Sequence, residues 1–240
     1  MENKYKIVNK NFLLINDTIP HSGYFNMEFD SWLFELSLKR KVKPILRIYT
    51  WDGFVITTGK YHKIEQEIDI KKCEELKIPV IKRPTGGRMI LHHRDEVTFS
   101  LIIPESTITP FDFRTTFLFV SEHLCNGFKN IGVDASLSMK PSKYQKSPLC
   151  FQSISQYEIT DSHNRKLAGI AQVIKKDSAL LQGSIPYKNP QIESLHIFKK
   201  HINILIKNDL IEKKLSEEEI RMAIISGFKR VIKFMNIIYS

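Results

Sequence analysis

The sequence predicts one mixed α/β domain, and three observations carry that prediction. Apolar residues recur at helical spacing in well-separated segments, and short β-branched runs bounded by turn residues lie between them. No repeat, low-complexity tract or linker divides the 240 residues into two cores, so the chain is read as a single unit, 1–240, with a small helical tail.

Each element has its own signal. Asn26 precedes Met27–Arg40, where Phe29, Leu33 and Leu36 share a helical face. Glu28 and Asp30 in the first turn and Lys39 and Arg40 in the last suit the helix dipole. Ile45–Thr50 and Phe54–Thr58 read as two strands joined by a turn at Trp51–Asp52–Gly53. Asp69 is placed to cap a short helix with Ile70, Cys73 and Leu76 on one face. Pro79–Lys82 reads as a short strand and Val97–Ile103 as a clear one. After Asp112, the residues Phe113, Phe117, Val120, Leu124, Phe128 and Ile131 follow the i, i+3/i+4 rule, and Gly132 ends the helix. A short strand at Val133–Leu137 leads to Lys140–Pro148, a Pro-, Ser- and Lys-bearing surface loop. Ser155–Thr160 and Lys166–Val173 read as a hairpin across Asp161–Asn164, before a strand near Ala179–Ile185. In the tail, Ser216 with Glu219 makes a capping box, and Leu215 with Ile220 has the spacing of a hydrophobic staple.

Composition narrows the function classes. A chain that is 42% hydrophobic and 26% charged is neither disordered nor fibrous. Three cysteines exclude a disulfide scaffold and point to a reducing, cytoplasmic setting. The start, MENKYKIVNKNFLLIN, has no signal h-region, and no apolar run reaches the ~18 residues of a membrane span. The net charge, 36 − 26 = +10, suits an acidic partner or simply a solvated lysine-rich surface. With no zinc-finger spacing, RNA-binding signature or block of like charges, nucleic acid is not an expected partner.

The strongest chemical signal is Lys82–Arg88, which follows a strand and contains two adjacent glycines. Gly86 and Gly87 permit close backbone approach to an anion or carbonyl oxygen, and Arg83 and Arg88 flank them; an exposed hairpin turn is the competing reading. It is not a P-loop and not a dinucleotide fingerprint. His92 and His93 follow, but neighbours in a strand point to opposite faces, so they are not expected to share a metal ion. Cys73 and Cys125 fall on or beside apolar helix faces, where a thiol is inert; Cys150 lies outside any helical pattern, where it could line a cleft. Lys166 is a candidate cation for that thiol, or a solvated hairpin lysine, and Gly169 in a strand marks close backbone approach.

Taken together, KRPTGGRMILH, EVTFS, LCF, YEIT, NRKLAGIAQ and LLQGSIP, preceded by SGYFNMEFD and TTGKYH, resemble the biotin/lipoate ligase-like catalytic fold. Within it they most resemble the bacterial octanoyltransferases that acylate lipoyl-carrier proteins, over a core of about Ser22 to Phe228. The resemblance implies an α/β (α+β) fold with a mixed, mostly antiparallel sheet flanked by helices. It also implies octanoyl transfer from the phosphopantetheine of an acyl carrier protein, through a cysteine thioester, to a lysine of a lipoyl-domain or glycine-cleavage carrier protein.

By that resemblance, Cys150 is the nucleophile, and Lys166 the lysine that lowers its pKa. Arg83, Gly86, Gly87, Arg88 and His92 wall the acyl pocket, and Gly169 sits beside the acyl chain. Leu91, Phe99 and Phe151 are expected to line the channel. No cofactor or metal is implied. The alternatives on the same fold are an ATP- and Mg²⁺-dependent lipoate–protein ligase, which needs no thiol nucleophile, and an octanoyl amidotransferase between lipoyl domains. Two departures stand out. One extra residue separates His92 from Thr98, which leaves open whether His92 or His93 faces the site. The chain stops at Ser240, earlier than many relatives, which implies the loss of a last helix.

Overall fold

A computed structural model of the chain describes residues 5–139, 155–190, 197–199 and 205–239. In chain order its elements are β1 (Lys6–Ile7), β2 (Asn11–Asn16), α1 (Gly23–Lys39), β3 (Ile45–Tyr49), β4 (Val55–Thr58), α2 (Ile70–Glu75), β5 (Val80–Lys82), β6 (Ile90–His92) and β7 (Glu96–Pro104). There follow β8 (Ile108–Thr109), α3 (Phe113–Asn130), β9 (Ser136–Leu137), β10 (Ile159–Thr160), β11 (Gly169–Lys175), β12 (Ser178–Pro186), α4 (Asp209–Glu212), α5 (Glu217–Lys229) and β13 (Lys233–Tyr239).

The main sheet has six strands in the order β11-β12-β7-β3-β2-β13. The β11/β12, β12/β7 and β7/β3 pairs are antiparallel, and β3/β2 and β2/β13 are parallel. A second sheet, β5-β4-β6, carries one parallel and one antiparallel pair. The mixed, mostly antiparallel plan is as the sequence implied.

Strand alternation sorts the two faces of the main sheet. Leu46 and Ile48 of β3, with Phe99, Leu101 and Ile103 of β7, join the large core under α3 and α5, whose Phe119, Leu124, Ile220 and Phe228 cover them. The intervening residues face α1, where Leu33 and Phe34 pack on Ile45 and Ile102. This second face is not uniformly apolar. Arg47, Ser100 and Gln182 are cross-strand neighbours on it, and so are Tyr49, Thr98 and Ser184. A buried polar stripe of this kind must be satisfied internally or by a ligand.

Several sequence expectations are corrected. Helix α1 begins at Gly23, capped by Ser22, whose hydroxyl accepts the Phe25 N–H at 3.3 Å. Asn26 only mimics a cap: it is buried, donating to Thr50 O and accepting from Arg47. β3 and β4 do not pair; the turn between them carries the chain from one sheet to the other. The tail is not wholly helical, since after α5 the chain forms β13, parallel to β2. The cap at Asp69 and the capping box at Ser216 and Glu219 are as predicted. The loop 140–148 lies outside the described residues. Among the described residues, no helix is long and apolar enough to cross a membrane.

Candidate active site

The segment after β5 is held from the inside. Arg83, only 4% exposed, donates through Nη2 to Gly86 O and Arg88 O, each at 2.7 Å, and through Nη1 to Thr57 Oγ1 at 3.2 Å. The guanidinium therefore acts as a brace for the turn, its fork reading two carbonyls at once. Gly87 has φ +95°, which an L side chain resists, and a Cβ on Gly59 would lie 2.1 Å from Gly87 O. Both glycines are thus required where the TTGKYH segment meets the turn. Thr85, fully buried, donates its hydroxyl to Gln182 Oε1 at 2.8 Å.

His92 sits behind this turn. Its ring stacks on Trp51 with centroids 4.1 Å apart. Nδ1 lies 2.6 Å from Glu96 Oε1, and Nε2 lies 2.7 Å from Thr57 Oγ1. A carboxylate only accepts, so the Nδ1 proton points at Glu96, while Nε2 faces the Thr57 hydroxyl. Thr57 in turn accepts from Arg83, which links His92 to the brace. Burial alone would push the Glu96 carboxyl up, but the His92 and Thr98 contacts win and hold it below its ordinary value. His93 is turned elsewhere, its Nδ1 accepting the Asp95 N–H, and burial pushes its pKa down. The structure thus places His92, not His93, in the pocket wall.

Lys166 lies just after the hairpin turn, and its ammonium donates to Glu158 Oε1 at 2.7 Å. Both side chains are buried, so Lys166 is not the solvated hairpin lysine of the alternative reading. Glu158 also accepts the Ser155 N–H at 2.7 Å. Gly86, Gly87 and Glu158 line one cleft of ≈ 740 Å³, with Ile170 and Ala171 of β11 in its wall. Ala171 also borders an inner cavity of ≈ 20 Å³, lined by Thr57, Arg83, His92 and Gln182. Gly169 begins β11 opposite Ser184, two residues before Ala171. The structure therefore places Gly86, Gly87 and the partner of Lys166 on one cleft, and Arg83 and His92 on a small neighbouring cavity that shares Ala171 with it. Arg88 contributes its carbonyl to the brace. Cys150 and Phe151 lie outside the described residues.

Two channel-lining expectations are corrected. Leu91 packs with the small cluster around Ile56 and Met89, and Phe99 points into the α3–α5 core. Cys73 and Cys125 are buried, and burial raises both thiols, in keeping with inert roles. Residue chemistry in the sequence singled out neither Glu158 nor Glu96 nor Gln182, although all three fall inside the quoted motifs. Buried Asp161, exposed His163 and half-buried Asp209 converge, and the Arg165 guanidinium bridges the two carboxylates. That arginine supplies the positive charge the cluster calls for.

Comparison with known proteins gives the family. The model of the lipoyl protein ligase A/B catalytic domain matches residues 22–226. The chain is 32% identical over 209 residues to octanoyltransferase LipM of Staphylococcus aureus, a match spanning 84% of this chain and 73% of that protein. It is 30% identical over 229 residues to octanoyltransferase LipM of Bacillus subtilis, spanning 87% and 82%. Among solved structures, a bi-partite lipoate protein ligase from Thermoplasma acidophilum, studied with its E2 lipoyl domain, superposes with TM-score 0.72 at 19% identity, covering 97% of this chain and 88% of that one. Lipoate-protein ligase A bound with ATP superposes with TM-score 0.74 at 20% identity, covering 96% and 89%. These two share the fold.

Proposed function

This chain belongs to the lipoyl protein ligase A/B catalytic domain family, and we propose that it works there as an octanoyltransferase of lipoate biosynthesis, in the cytoplasm and as a single catalytic domain. Its acceptor is a lysine on a lipoyl-domain carrier protein, and its donor is octanoyl acyl carrier protein. The observation that carries the reading is the buried Lys166–Glu158 pair, whose carboxylate lines the same cleft as the Gly86–Gly87 turn. An ammonium held there is suited to stabilise a thiolate and to exchange protons with an incoming amine.

The chemistry runs in two halves. In the first, the Cys150 thiolate attacks the octanoyl carbonyl carbon; the donor's C–S bond breaks, and the pantetheine sulfur leaves and takes its proton from the Lys166 ammonium, which becomes the neutral amine. In the second, the acceptor's neutral lysine amine attacks the same carbonyl; the Cys150 thiolate leaves, and the amine's surplus proton passes to a base. Lys166 in its neutral form is that base, with Glu158 holding its nitrogen in place. The negative oxygen of each tetrahedral intermediate needs donors, and the turn at Gly86 and Gly87 is where backbone approaches closely enough to supply them. A thioester already carries the activation energy, so neither ATP nor a metal ion enters.

Intact mass spectrometry tests this. Mixing the protein with octanoyl carrier protein, without ATP, should add one octanoyl group, which neutral hydroxylamine removes and which Cys150→Ala does not acquire. Adding a lipoyl domain should move the group to that domain. Lipoyl-domain modification that requires free lipoate, ATP and Mg²⁺ would sink the transferase reading and favour a ligase.

A further inference from the structure

We propose that Gln182 and Asp30 are positioning residues for the Thr85–Gly86–Gly87 turn, acting through one hydrogen-bonded relay from the core to the cleft. What the turn does rests on the octanoyl-transfer reading above; how it is held rests on geometry alone.

The relay begins on the polar stripe of the main sheet. Arg47 lies opposite Ser100, and Ser100 lies opposite Gln182. Asp30 of α1 is seated on this row, with no exposed surface. Its Oδ1 accepts from Arg47 Nη1 at 3.1 Å and from Ser100 Oγ at 2.7 Å. Its Oδ2 accepts from Tyr49 OH at 2.9 Å and from Gln182 Nε2 at 2.8 Å. Four donors fill the roughly four lone-pair sites of a carboxylate.

That saturation fixes the direction of the rest. Because Asp30 only accepts, Gln182 must turn its NH₂ group toward it, which leaves the amide carbonyl facing the other way. A carbonyl only accepts in its turn, so the Thr85 hydroxyl must donate to it, as the 2.8 Å contact has it. Every proton in Thr85–Gln182–Asp30 has one place to go. The next two residues, Gly86 and Gly87, line the cleft. They have no side chains with which to hold themselves, and glycine pairs lose more backbone freedom on ordering than any other residues. Arg83 braces the turn against itself and, through Thr57, against β4, and the Lys60 N–H donates to Thr85 O, whereas Gln182 ties the turn to the main sheet. Without that tie the fold should persist while the turn wanders, and a misplacement of ~1 Å at a reacting centre costs on the order of 10²-fold in rate.

The experiment compares the full chain with Thr85→Val, Thr85→Ser and Gln182→Met, measuring octanoyl transfer and amide hydrogen exchange together. Thr85→Val and Gln182→Met should lower kcat on the order of 10²-fold, with KM for the acyl donor changed by less than ~3-fold. Both should speed exchange at residues 85–88 while β7 and β12 stay protected. Thr85→Ser, which keeps the hydroxyl, should restore slow exchange and most of kcat. Thr85→Val leaves the Gln182–Asp30 bond intact, so it reads the relay even if Gln182→Met does not fold. Wild-type kcat in Thr85→Val, unchanged exchange at 85–88, or a rate loss matched by loss of protection throughout the sheet overturns the proposal. If the wild-type protein transfers no octanoyl group, the functional reading fails, and the exchange comparison still decides the relay.

Discussion

Lys166 and Glu158 form a 2.7 Å ion pair with both side chains withdrawn from water, and Glu158 lines the candidate active-site cleft. A buried lysine without a counter-charge would shed its proton to escape the desolvation cost. The carboxylate supplies that counter-charge and fixes where the Lys166 nitrogen points. Breaking such a pair from one side strands the other charge, at a cost of about 3–5 kcal/mol. Lys166→Met and Glu158→Leu should each lower unfolding stability by that order. The double variant should lose clearly less than the two losses combined, and a urea-denaturation cycle measures the coupling. Simple additivity would mean that the pair contributes nothing specific.

The same lysine should control thiol reactivity. An unperturbed cysteine titrates near 8.5, and an ammonium within ~4–6 Å lowers that value. Lys166→Ala should therefore slow alkylation of Cys150 at pH 7 and shift its pH–rate profile upward. Lys166→Arg keeps the charge but does not give up a proton. It should form the octanoyl-enzyme and then stall before transfer to the lipoyl domain. An unaltered alkylation profile in Lys166→Ala would assign the thiol another partner.

Glu96 should act through His92. With the carboxylate in place, the imidazole is held with Nδ1 protonated and Nε2 facing Thr57. Glu96→Gln presents either a donor or a weaker acceptor there, releasing the ring and with it the Thr57 contact to Arg83. Transfer should fall by about 10–100-fold, the range seen when a group that orients a histidine is lost. Acid stability should change as well. Glu96 is held below its ordinary 4.5, so its stabilisation is complete above that pH and is lost as pH falls through the lower folded value. Thermal melts at pH 3.5 and 7 should converge in Glu96→Gln more than in the wild-type protein.

Much of this molecule is legible from local chemistry. The cap at Asp69, the helix after Asp112 and the capping box at Ser216 need only nearby atoms, and the structure has all three. Asn26 has the sequence signature of a helix cap because a buried asparagine that satisfies Arg47 looks, in one dimension, the same. β13 is not legible locally, because its strand character depends on β2 lying beside it, more than 200 residues away in the chain. The turn glycines and His92 stand out in the sequence by residue type, since glycine pairs and imidazoles are rare and chemically distinctive. Gln182 carries no such signal, and Asp30 reads in the sequence as a first-turn acid although α1 starts at Gly23 and buries it. Neither is unusual until folding sets one against the other at 2.8 Å.

His123 makes the fold acid-sensitive through a site remote from the chemistry. It lies on α3 between Phe119 and Phe228, with ring centroids 4.7 and 5.5 Å away, and neither ring nitrogen has a hydrogen-bond partner among the described residues. Burial pushes its pKa down from 6.5 to about 4, so the native ring is neutral where the unfolded ring takes a proton. The folded value is the depressed one, and the unfolded state binds more protons between the two. Stability therefore declines as pH falls below about 6.5, and the loss is complete near pH 4 at about 3 kcal/mol. By pH 5 the loss should be about 2 kcal/mol, or about 4–8 °C in Tm for a chain of this size. His123→Leu removes the titrating ring and keeps an apolar contact with both phenylalanines. Its Tm should fall less than the wild-type Tm between pH 7.5 and pH 5, whatever its absolute stability. Parallel Tm curves over that range would show that acid sensitivity originates elsewhere.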